Sequence, residues 1–106
     1  MAMARGLESG RQGASQNVAF AAAGGASAAS VAFGTQTYQI RVVFVSGTAG
    51  AAVRIVVGDG TPVATATSTL LPAGWIEMLT VSPGQKIAVL SNDVGTGSLN
   101  VTEMTG

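Results

Sequence analysis

The chain contains no cysteine and no histidine. Disulfide staples, thiolate nucleophiles, imidazole bases and zinc sites built from Cys and His are excluded together. Charge is scarce too: Asp, Glu, Lys and Arg make up 9% of the residues, five basic and five acidic, where about a quarter is usual. A neutral chain this sparsely charged has no electrostatic footprint for DNA or RNA. No apolar window approaches the roughly 20 residues of a membrane-spanning helix. The arginines of the opening MAMARGLESGRQGAS are followed by no continuous apolar stretch, so the segment does not read as a signal peptide. The expectation is a protein made in the cytoplasm and either kept there or carried out of the cell within something larger.

The 106 residues suit one domain that buries roughly two-thirds of its unfolded surface. Hydrophobic residues make up 47% and the mean hydropathy is +0.46, with too few charges to keep a large free surface soluble alone. That balance points to burial in an assembly; a small monomer rich in Ala and Gly is the plainer alternative.

Residues 1–15 are polar, contain glycine and lack periodicity, which predicts a flexible N-terminal arm followed by a domain over 16–106. Strand signals fill the domain. The tripeptide VAF occurs at Val18–Phe20 and again at Val31–Phe33, separated by a small-residue stretch whose Gly24 and Gly25 break any helix. In TYQIRVVFVSG, Tyr38, Ile40, Val42 and Phe44 share one face, and Gln39, Arg41, Val43 and Val45 the other. AAVRIVVG sets Ala51, Val53, Ile55 and Val57 against Arg54, and the intervening SGTAG suits a hairpin.

GDG then leaves this strand, and Val63 to Leu71 alternates Thr with Ala, which predicts another extended segment. LPAG, SPG and NDVGTG read as turns between WIEMLTV, QKIAVLS and SLNVTEM. About eight short strands with closely spaced turns and no helix predict an antiparallel β-sandwich or small barrel, jelly-roll-like.

Candidate chemistry is thin. GDG lacks the third glycine and the helix of a dinucleotide fingerprint, and positive-φ glycines in a tight turn explain it better. Asp59 and Asp93 each stand alone, whereas calcium needs six to eight oxygens; no metal or cofactor is expected. Glu77 and Glu103 are the only glutamates beyond the arm, and a glycosidase would hold two carboxylates across a cleft. Both fit strand positions facing solvent, and no nucleophile, base and orienting group occur together, so no enzyme is expected. Trp75, directly after LPAG, suits an interface anchor, a sugar-stacking platform or edge packing. Arg41 and Arg54, on strands expected to be adjacent, suit carboxylates of a partner or plain solvation.

From residue 16 the order of signals is QNVAF, a second VAF before a long Arg-containing strand, TPVATATSTLLPAGWIEML, VSPGQKIAVLS and GTGSLNVTEMT. This order resembles that of a family of small tailed-bacteriophage virion proteins, the capsid decoration or cement proteins. The resemblance covers most of residues 16–105. It implies a β-sandwich present in many copies on the outer surface of the head, bound to the major capsid protein as a homo-oligomer, dimer or trimer, with no catalytic residues carried over. Under it, Arg5 and Arg11 of the arm, Arg41, Arg54 and Trp75 are the candidate interface residues. Two alternatives stay open: a receptor- or carbohydrate-binding module of a fibre or spike, and a minor tail or head-to-tail component.

Overall fold

The computed structural model describes residues 11–21, 25–46, 51–92 and 97–105. Eight strands follow along the chain: β1 (Arg11–Phe20), β2 (Ala28–Ala29), β3 (Gln39–Phe44), β4 (Ala52–Gly58), β5 (Thr69–Pro72), β6 (Trp75–Thr80), β7 (Lys86–Ser91) and β8 (Gly97–Thr105). They form two four-stranded sheets, β1-β8-β3-β6 (sheet I) and β2-β7-β4-β5 (sheet II), with every pairing antiparallel. The pairs β1·β8, β2·β7, β3·β6 and β4·β5 are nested, as in one long ribbon doubled back between β4 and β5. Rolling that ribbon up brings β8 beside β3 and β7 beside β4. The result is an eight-stranded jelly roll, as the spacing of strands and turns predicts.

A rolled ribbon places most sequence neighbours in opposite sheets, and this overturns the expected β3–β4 hairpin. β3 bonds to β6 and β8, while β4 bonds to β5 and β7, so the chain changes sheets across SGTAG. Period-two alternation buries the apolar face of each strand in either arrangement; here Ile40, Val42 and Phe44 of β3 and Val53 and Ile55 of β4 enter one core from opposite sheets. Val18, Phe20, Phe33, Ala51, Leu71, Val81, Ile87, Val89, Leu99 and Val101 join that core. Phe20 meets Phe44 edge to face, with ring centroids 5.9 Å apart and planes at 61°, an attractive quadrupole geometry.

The Thr/Ala alternation is not a strand before Thr69. Residues 62–68 instead form an irregular segment that turns into β5 and is tied to its neighbours by hydrogen bonds. The Ala64 N–H donates to Ser27 Oγ (3.0 Å), the Arg54 guanidinium donates to the Ser68 carbonyl (3.1 Å), and Ala64 is buried. Thr65 and Ser68 close a local turn: the Ser68 N–H reaches the Thr65 carbonyl and the Thr65 N–H reaches Ser68 Oγ. Hydroxyls that bond nearby backbone compete with a ladder, which outweighs the β preference of threonine here.

Three further boundaries differ from expectation. The second VAF is irregular: Val31 is exposed, whereas Phe33 plugs the core and is held by bonds between its backbone and Gln85 and Gly84. Tyr38 precedes β3 at the sandwich rim and is exposed. Finally, β1 starts at Arg11, inside the stretch assigned to the arm, because ladder bonds to β8 need no apolar pattern. Its register with β8 shifts between Gln12 and Ser15, a β-bulge.

Candidate interaction surface

The turn after β5 delivers Trp75 to an open edge. Gly74 takes a φ of 81°, which glycine adopts without a Cβ penalty. The Ala73 N–H bonds the Ala51 carbonyl beside sheet II, and the Gly74 N–H bonds the Phe44 carbonyl in sheet I. Two successive amides thus tie the crossover to both sheets, and β6 begins at once.

Along β6, Ile76, Met78 and Thr80 stand opposite Val43, Arg41 and Gln39 on the outward face of sheet I. Trp75, Glu77 and Leu79 stand opposite the buried Phe44, Val42 and Ile40 on the inward side. As the last strand of sheet I, β6 covers these residues only on its β3 side. Trp75 is 56% exposed, Ile76 58% and Met78 38%, and Val45, just beyond β3, is exposed as well. Beside this edge a cleft of about 320 Å³ opens, with Ile55, Val57 and Leu79 among its apolar walls and Thr67, Thr69 and Thr80 also lining it.

The other candidate residues do not converge. Arg41 and Arg54 lie on different sheets, both on outward faces, so they point away from opposite sides of the sandwich. This corrects their expected adjacency. Arg54 is engaged within the fold: its Nε donates to Asn92 Oδ1 (3.1 Å) and its guanidinium to Ser68. Arg41 is flanked by Met78 and Thr102, and its Nε is buried with no hydrogen-bond partner among the described residues. Arg11 opens β1 with its backbone paired to Thr105. Arg5 and Asp93 lie outside the described residues.

Glu103 accepts the Gly34 N–H (3.1 Å) and the Thr37 hydroxyl, so it latches the segment before β3. Asp59 accepts from Gln85 Nε2 (3.3 Å), and Gly60 beside it has a φ of 64°, which makes GDG the glycine turn its pattern suggests. Among the described residues no three acidic side chains gather as a metal site would require. Sequence reasoning singled out Trp75 but passed over Ile76 and Met78. The readable signal was a strand apolar on both faces, WIEML, with one charge.

Comparison with protein-family models, with curated proteins and with solved structures finds no match.

Proposed function

We propose that the chain is a bacteriophage virion structural protein: a decoration or cement protein that binds the outer surface of the assembled head and stabilises contacts between major capsid protein subunits. One observation carries the reading. In a chain with 9% charged residues, three large apolar side chains, Trp75, Ile76 and Met78, are exposed along one edge strand of the sandwich. An apolar edge with a single acid, Glu77, and Arg41 beside Met78 suits burial against other protein. The jelly roll is compatible with that role, and the order of sequence signals over most of residues 16–105, which resembles that of decoration proteins, suggests it.

The mechanism is mechanical. A homo-oligomer touching several capsid subunits at once turns weak individual contacts into strong retention. Because it binds only the assembled shell, it stabilises that state against heat and internal pressure. The segment before β1, with Arg5, adds a second attachment, and Trp75 lies at or near a contact.

The test is binding of purified protein to heads that lack it, with copies per head read after sedimentation. Saturation in a fixed ratio to the major capsid protein is expected, and deletion of residues 1–10 should weaken retention without unfolding the domain. Saturation at a few copies would move the protein to a vertex, spike or tail position. No binding at all would overturn the proposal in favour of a receptor- or carbohydrate-binding module.

A further inference from the structure

We propose that the free edge of β6 pairs with the same edge of a second copy, antiparallel about a two-fold axis through Met78, which joins the two sheets I into one. The edges of the sandwich differ in a way that points there. β1 carries a bulge, β2 has two residues, and β5 has four and ends at Pro72; bulging, shortness and proline are the devices that keep an edge from pairing. β6 has six residues, WIEMLT, without proline, lysine or a register shift against β3. Among the described edges it is the one with neither a bulge, a proline nor a length of four residues or fewer; Trp75, Ile76, Met78 and Thr80 are exposed along it, Leu79 is half-buried, and its single charge is the half-buried Glu77.

The phase of the ladder limits the registers that a second copy can take. The Val81 N–H bonds the Tyr38 carbonyl, and antiparallel bonds recur at every second residue. The backbone groups of Leu79 and Glu77 therefore face β3, and those of Ile76, Met78 and Thr80 face the free edge. That set is self-complementary about its middle member: Met78 meets Met78, and Ile76 meets Thr80. A two-fold axis through Glu77 would also let the backbones bond but would set two like charges directly opposite, which is unfavourable. In the Met78 register, Glu77 lies opposite Leu79.

The same register accounts for Trp75 and the cleft together. Trp75 of one copy falls opposite Val81 of the other, on the inward side, next to the cleft bordered by Leu79 and Thr80. An indole held there gains aliphatic walls. At that edge Trp75, Ile76 and Met78 carry the exposed apolar surface that a second copy would cover.

This pairing deepens only the homo-oligomer part of the proposed function, and its test is independent of heads. The full chain should sediment at twice its 10.4 kDa, and Met78→Lys should return it to single-chain mass with an unchanged circular dichroism spectrum. In a chain free of cysteine, Met78→Cys should oxidise to a covalent dimer, because bonded antiparallel pairs have Cα atoms about 5.5 Å apart, within disulfide reach. Ile76→Cys should cross-link at least about tenfold more slowly, since beyond about 7 Å the Cα atoms cannot be bridged. A native chain that stays at single mass up to its solubility limit, or equal cross-linking of the two variants, would overturn the pairing. A single-mass chain that still saturates heads would overturn this inference alone; a Met78-linked dimer that ignores heads would support it and sink the decoration reading.

Discussion

Thr37 donates its hydroxyl to Glu103 Oε1 across 66 positions of sequence, and the same oxygen accepts the Gly34 N–H at 3.1 Å. Thr37 is 2% exposed, whereas Gly34 is exposed and its N–H can turn to water. Glu103→Ala should therefore cost about 1 kcal/mol or more, mainly through the Thr37 hydroxyl that loses its acceptor. It should appear as a lower urea midpoint at unchanged slope. Glu103→Gln keeps an acceptor and should lose less; equal losses would show that the negative charge rather than the acceptor matters.

Ser30 makes a tighter version of the same argument. Its N–H donates to the Ile87 carbonyl (2.8 Å), and its Oγ accepts the Ile87 N–H (3.0 Å) while donating to the Val31 carbonyl (2.9 Å). The hydroxyl thus completes the ladder where β2 ends and the backbone turns away from β7. Ser30→Ala should leave the Ile87 amide unpaired inside the sandwich and cost about 1–3 kcal/mol. Amide hydrogen exchange at Ile87 checks the mechanism: protection should fall there before it falls in β4, and retained protection would refute the assignment.

A steric prediction concerns Gly97 at the start of β8. A Cβ placed there would lie 2.8 Å from Cζ of Phe20, and that ring is held edge to face on Phe44. Gly97→Ala should therefore cost about 1–3 kcal/mol through overpacking. Combining it with Phe20→Leu should recover part of the loss, with a coupling of at least about 0.5 kcal/mol in a double-mutant cycle. Additive losses would mean that the ring moves aside freely.

Strand existence was legible in the sequence wherever one face had to be buried, because period-two burial leaves a period-two pattern; QIRVVF alternates half-buried and buried residues along its whole length. The turns at Gly60, Gly74 and Gly84 were legible because positive φ, which all three adopt, selects glycine. Which strands pair was not, since SGTAG serves a crossover between sheets as well as it serves a hairpin. The stretch after GDG misled for a chemical reason. Thr65, Thr67 and Ser68 carry β-favouring or neutral side chains whose hydroxyls close a turn on one another and on nearby backbone. The candidate surface was half visible: Trp75 stood out by its identity, but the exposure of Ile76 and Met78 comes from their place on the outward face of the last strand of sheet I, a fact of topology that local sequence does not encode.

Trp75 separates packing from association in one substitution. It is the sole tryptophan and 56% exposed, so less than half of its surface contributes to the isolated fold. At about 25 cal/mol per Å² of apolar area, Trp75→Ala should lower the folding stability of a single chain by no more than about 2–3 kcal/mol. An aromatic anchor at a protein contact costs at least about 2 kcal/mol of binding when truncated, a loss of roughly thirtyfold or more in affinity. The expected outcome is therefore a folded chain with a modestly lower urea midpoint and strongly weakened association, whether read as self-association or as occupancy on heads. In the native protein the single indole reports the same event: its emission should shift to shorter wavelength as the chain associates and its exposed face leaves water. An emission maximum that stays constant through saturation, together with unweakened association of Trp75→Ala, would make Trp75 an edge-packing residue and move the contact elsewhere on the sandwich.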